Sequence, residues 1–119
     1  MRLLIVEDNR PMRRLIAGIV GDLAVCIAEC GDGAEALQAY RTHEPDWVLM
    51  DIGMKGLDGL SATRQIRNAF PDARIVIVTE YDNAAWREEA RDAGAIAYVL
   101  KDHLWNIRRI LQGPAGDRP

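Results

Sequence analysis

Glu7, Asp8 and Asp51 are carboxylates, Thr79 offers a hydroxyl and Lys101 an ammonium. Brought to one place, these five groups could carry out a definite chemistry. Three carboxylates facing one ammonium repel each other, which raises a carboxyl pKa unless a cation intervenes. An oxygen-only ligand set suits a hard ion, and Mg²⁺ typically takes one or two carboxylates while keeping several waters. Asp51 could then act as a nucleophile, since a carboxylate accepts a phosphoryl group to give an acyl phosphate. Phosphoryl transfer asks a protein chiefly for position and charge neutralisation. Thr79 and Lys101 are suited to hold the phosphoryl oxygens. The chain has thirteen Arg and only two Lys, so a lysine here selects a compact charge on a flexible stem. Other chemistries lack their parts. His43 and His103 have no evident nucleophile partner, and Gly31, Gly33, Gly53, Gly56 and Gly59 do not form a phosphate-cradling loop ending in Lys-Ser or Lys-Thr.

The elements that must position these residues can be read from the apolar pattern. Leu3–Val6, Trp47–Met50, Ile75–Val78 and Ile96–Leu100 are short runs without polar alternation. Each is therefore expected to be a strand buried on both faces, as in a parallel sheet covered by helices. A weaker run, Ala24–Ala28, is the expected edge strand. Between the runs the period turns helical. Met12, Leu15, Ile16, Ile19, Val20 and Leu23 form one stripe, and Asp32 and Glu35 have capping-box spacing before a second helix. A third helix is expected over about residues 60–69. A fourth, beginning after Asp82 and stopping at Gly94, should bury Trp86, Ala90 and Ala93. A fifth carries Leu104, Ile107 and Leu111. Strand and helix alternate five times, which implies right-handed βαβ units and an α/β domain. Glu7 and Asp8 follow the first strand, Asp51 the third, Thr79 the fourth and Lys101 the fifth. Ligands of open parallel sheets bind beyond the carboxyl ends of the strands, so all five polar positions share one rim.

With 119 residues, the chain has the length of one domain. Its 49% apolar and 28% charged content and net charge of −3 exclude disorder on composition. No apolar run is long enough to cross a bilayer or to serve as a signal peptide, so no membrane role and a cytoplasmic location are expected. A pI near 5.3 argues against binding nucleic acid through this domain. Cys26 and Cys30, four apart in an extended stretch, are too distant to bridge and read as buried apolar fillers.

Glu7-Asp8, Asp51 with Met54 and Asp58-Gly59, Thr79, and Tyr98-Val99-Leu100-Lys101 together resemble a bacterial response-regulator receiver domain. The resemblance spans about residues 2–111 and is closest in flavour to receivers that precede LuxR-type helix-turn-helix domains. It implies a flavodoxin-like, doubly wound sheet of five parallel strands in the order 2-1-3-4-5 with five helices. With Gly113-Pro114-Ala115-Gly116-Asp117 reading as the start of a frayed tail over residues 113–119, the receiver is expected over residues 1–112. By the same resemblance, Asp51 takes a phosphoryl group from a phosphohistidine on a sensor histidine kinase or a histidine phosphotransfer protein. Asp8, Asp51 and the Gly53 carbonyl would bind Mg²⁺, with Glu7 assisting. Thr79 and Lys101 would hold the phosphoryl oxygens, and Tyr98 would be the aromatic that switches rotamer. The fourth helix, fifth strand and fifth helix would be the readout face, controlling a partner, an output domain or a homodimer. Such a chain catalyses its own phosphoryl uptake and loss and is not an enzyme toward an external substrate. Tyr81, two after Thr79, is expected to slow water's approach to the acyl phosphate.

Lys55 and Glu80 depart from the usual pattern, where proline and a small residue are common. They motivate the alternative of a phosphorylation-independent interaction module. A phosphatase using Asp51 as nucleophile is a weaker rival, because the second aspartate of haloacid-dehalogenase-type enzymes is Gly53 here. A stand-alone regulator and a piece of a longer LuxR-type protein both fit the chain.

Overall fold

The computed structural model describes residues 1–54 and 56–113. Lys55 and most of the expected tail, residues 114–119, lie outside the described residues. Five strands, β1 (Arg2–Val6), β2 (Cys26–Cys30), β3 (Trp47–Met50), β4 (Ile75–Thr79) and β5 (Ala97–Leu100), alternate with five helices. The helices are α1 (Arg10–Val20), α2 (Ala36–His43), α3 (Gly59–Ala69), α4 (Ala84–Ala93) and α5 (Asn106–Gln112), with short 3₁₀ turns before α2 and α5 and after α1. All strand pairs are parallel, in the order β2-β1-β3-β4-β5.

Because side chains alternate across a strand, the sheet divides its apolar residues between two layers. Leu4, Val6, Val48, Met50 and Ile77 pack beneath α2, α3 and Ala90 of α4. Leu3, Ile5, Leu49, Val76 and Val78 pack against Ile16 and Val20 of α1 and Ile107 and Leu111 of α5. Central strands β1, β3 and β4 are buried on both faces, which explains their unbroken apolar runs.

Side chains at helix starts decide where the connections turn. Asn9 accepts the Met12 N–H at 2.8 Å, Asp58 accepts from Leu60 and Ser61, and Asn83 accepts from Ala85 and Trp86. Asp8 is therefore released from capping α1. At its other end α4 stops on Gly94, whose φ of 110° is left-handed.

The structure corrects several expectations. β2 begins two residues later than the apolar run, and Cys26 is exposed whereas Cys30 is buried. β5 is an edge strand and only Val99 is fully buried, so Ile96 and one face of the strand meet solvent. Leu15 is exposed beside buried Ile16, since the stripe of α1 is narrower than its six apolar residues. Trp86 shares the helical face of Ala90 and Ala93 but sits at the start of α4 and is left 37% exposed.

Candidate functional site

Strand register assembles the site. Val6 lies level with Cys30 on one side and Met50 on the other, so the chain leaves β1 and β3 at the same height. Glu7 N–H donates to the Cys30 carbonyl and Asp51 N–H to the Val6 carbonyl, each at 2.9 Å. These bonds carry the ladder one residue past the strands and fix both acids at its end. Thr79 pairs with Leu100, which puts Lys101 one step beyond β4.

One carboxylate oxygen from each of Glu7, Asp8 and Asp51 lies within 4.8 Å of the others. Lys101 Nζ sits 2.9 Å from Glu7 Oε1 and 3.3 Å from Asp51 Oδ1. Glu7 is almost fully buried, and its Oε1 has no hydrogen-bond partner other than that ammonium among the described residues. Its other oxygen accepts from Asn9 N–H at 3.2 Å, and Arg13 donates to its backbone carbonyl at 2.7 Å. Burial pushes the Asp51 carboxyl above its usual range and Asp8 adds to this, while Lys101 and the Gly53 N–H pull it back. Burial likewise raises Glu7, against the lowering effect of Lys101. For Lys101, burial pulls the pKa down, but Glu7 and Asp51 outweigh it and the ammonium is held charged. Three acids and one cation leave an excess of negative charge in a recess with few other donors. Such a donor set, all hard oxygen with a buried carboxylate oxygen short of partners, fits a small divalent cation.

The surrounding cavity, about 300 Å³, is lined by Glu7, Asp8, Asn9, Met12, Asp51, Gly53, Glu80, Tyr81 and Lys101. Six of the expected groups are thus brought together: Glu7, Asp8, Asp51, Gly53, Lys101 and the Tyr81 ring. Thr79 is not on the cavity wall. It is fully buried, and its hydroxyl accepts the Tyr81 N–H at 3.2 Å. Tyr98 also stands away from the cavity. Its hydroxyl donates to the Tyr81 carbonyl at 2.6 Å, and Arg87 lies 4.6 Å over its ring. Glu80 is exposed at the rim.

Sequence reasoning missed two supporting residues. Asn9 is both a cap and a ligand of Glu7, and its position just after the acidic pair was an available signal. Gly59 was noticed only as part of a motif. A Cβ there would stand 1.8 Å from the Asp51 carbonyl oxygen, so only glycine lets α3 begin so close to the acidic turn.

The family model described as "Response regulator receiver domain" matches residues 3–112. The chain belongs to the response regulator receiver family. Transcriptional regulatory protein PdtaR of Mycobacterium tuberculosis is 38% identical over 101 residues, covering 84% of this chain and 49% of that protein. Response regulator GacA of Pseudomonas aeruginosa is 35% identical over 122 aligned positions, covering 95% and 56%. Among solved structures, a LuxR-family two-component response regulator from Aurantimonas sp. SI85-9A1 superposes with a TM-score of 0.83 at 33% identity, covering 92% of this chain and 84% of that one. The receiver spans about half the length of the curated relatives it matches. It is a receiver domain of the two-component type, a signalling switch and not a conventional enzyme. Among the described residues, no helix is long and apolar enough to cross a membrane.

Proposed function

We propose that this receiver, extending over residues 1–112, accepts a phosphoryl group on Asp51 from a phosphohistidine of a sensor kinase or phosphotransfer protein. The observation that carries this reading is the buried Asp51 carboxylate beside Lys101, inside the carboxylate cluster with Glu7 and Asp8. An Asp51 oxygen forms the new bond to phosphorus as the phosphorus–nitrogen bond breaks. The electron pair remains on the imidazole, which takes its proton from solvent. Lys101 holds a phosphoryl oxygen as charge builds on it. Asp8, Asp51 and the Gly53 carbonyl would hold Mg²⁺, with Glu7 behind them, and the ion when bound neutralises phosphoryl charge.

Thr79 enters this scheme through a change of partner. Its hydroxyl is turned to the Tyr81 N–H, and a phosphoryl group on Asp51 gives it a second acceptor. Drawing Thr79 toward that acceptor strains the Tyr81 segment, which also carries the Tyr98 hydrogen bond. Tyr98 lies on β5 beside α4, so the α4-β5-α5 face is the readout surface toward an output partner, an output domain or a second copy. In a protein the length of the curated relatives, that output is transcriptional control, acting in the cytoplasm. A phosphorylation-independent module has no use for a buried acidic cluster with its counter-ion, so that alternative is not favoured.

Intact mass after incubation with Mg²⁺ and acetyl phosphate tests the proposal. Wild type should gain one phosphoryl group, and Asp51→Ala or a chelator should abolish the gain. A folded wild type that gains nothing under rapid quenching would overturn it.

A further inference from the structure

We propose that Trp86 is a positioning residue for the Tyr81 ring, holding it beside the acidic cavity and so setting the lifetime of a phosphoryl group on Asp51. This inference rests on the phospho-accepting reading above.

The Tyr81 ring forms part of two walls at once. It lines the acidic cavity with Asp51, Gly53 and Lys101, and it lines a second cleft of about 320 Å³ with Met54, Leu60 and Trp86. It closes on the acidic side: a Cβ placed on Gly53 would stand 3.4 Å from the Tyr81 hydroxyl and 3.5 Å from its ring. The Tyr81 backbone is tied at both ends, its N–H to Thr79 and its carbonyl to the Tyr98 hydroxyl. Those bonds fix where the ring starts and leave its rotamer open. Trp86 supplies the missing restraint. Its ring stacks on Tyr81 with centroids 6.0 Å apart and planes 22° apart, an offset geometry that aromatic pairs favour.

The backbone of Trp86 is set by the start of α4. Its main-chain N–H donates to the Asn83 side chain in the first turn. Trp86 lies on the helical face of Ala90 and Ala93 but at the start of α4, where it stays 37% exposed, so core packing does not fully account for it. A large aromatic left half in water, stacked on a tyrosine that walls the phospho-acceptor cavity, is placed to control access.

Loss of the phosphoryl group requires a water. Its oxygen bonds to phosphorus while the bond from phosphorus to the Asp51 oxygen breaks. The electron pair stays on the Asp51 carboxylate, and the water's proton leaves with inorganic phosphate or to solvent. A Tyr81 ring pinned by Trp86 narrows the approach for that water. Uptake differs, because the donor itself fills the space in front of Asp51.

The experiment is to load the 119-residue chain with acetyl phosphate and Mg²⁺, remove the donor, and follow loss of the adduct by intact mass. Trp86→Ala should lose the group about three- to ten-fold faster, with uptake rate and apparent Mg²⁺ affinity unchanged. Trp86→Phe, which keeps a stacking ring, should restore most of the wild-type lifetime. Tyr81→Ala should be fast as well, and the double variant no faster than Tyr81→Ala alone. A wild-type lifetime in Trp86→Ala, or additive effects in the double variant, overturns the inference. A wild type that takes up no phosphoryl group overturns the phospho-accepting reading itself, and the inference with it.

Discussion

At the centre of the sheet's carboxyl edge, Glu7 and Asp51 are 1% and 6% exposed, fixed by ladder hydrogen bonds and faced by one ammonium. On the flank toward β5, Tyr81 and Trp86 are 45% and 37% exposed and are joined by ring stacking. The centre is rigid and electrostatically costly, because burial and mutual repulsion push its acids toward their neutral forms. The flank is loosely held by contacts worth about 1 kcal/mol each, and so can rearrange at small cost. The difference teaches a division of labour: affinity for charge comes from what cannot relax, and response comes from what can.

This contrast can be broken most forcefully at Gly59. Gly59→Ala drives a Cβ into the Asp51 carbonyl and should lower stability by about 3 kcal/mol in urea unfolding. Phosphoryl uptake should fall with it, because the acidic turn moves. Next is Lys101→Met, which leaves Glu7 and Asp51 without their shared cation. Stopped-flow or quenched uptake should slow about 100-fold, and stability should drop by about 2 kcal/mol. An uptake rate within two-fold or so of wild type would remove Lys101 from the mechanism.

Asp51→Asn works in the opposite direction. Burial raises the Asp51 carboxyl above its ordinary 3.8, so the folded chain binds that proton more tightly than the unfolded chain does. Ionisation therefore costs stability as pH rises through the raised value, and costs nothing below 3.8, where both states are protonated. The neutral amide of this variant should raise the melting temperature by about 2–5 °C at pH 7, with the gain vanishing at low pH. A gain that persists at about pH 3 would assign the effect to something other than charge. The smallest effect is expected at Tyr98→Phe, which deletes the 2.6 Å bond to Tyr81 and should cost about 1 kcal/mol or less with uptake unaltered. If Tyr98→Phe proved more damaging than Lys101→Met, the roles given to centre and flank would have to be exchanged.

The parts legible in the sequence were those where one residue type admits one environment. Unbroken runs such as Trp47–Met50 and Ile75–Val78, bounded by turn residues, suit a strand covered on both sides, and the polar residues that end them, Asp51 and Thr79, then fall at one edge of the sheet. Strand order was not in those runs; it came with the family resemblance, and the pairing bears it out. Exposure was harder to read, because periodicity says which residues share a face but not how far a neighbour extends over it. Leu15, Ile96 and Trp86 are apolar residues on the correct elements that the packing leaves uncovered. Thr79 was read correctly as the end of β4, yet its hydroxyl accepts the Tyr81 N–H, a local choice that no spacing encodes. Gly59 illustrates the reverse, a contact so close that its reason is visible only in three dimensions.

The strand order also bears on how the chain closes once it has been made. Glu7, Asp8 and Asp51 follow β1 and β3 in the first half of the sequence, whereas Lys101 follows edge strand β5 and is the last of the group to leave the ribosome. A single domain folds as a unit, so the acids are buried only when the segment that carries their cation is present. Closure of the fold and neutralisation of its most costly charges are then one step, made by the same few residues at the end of the domain.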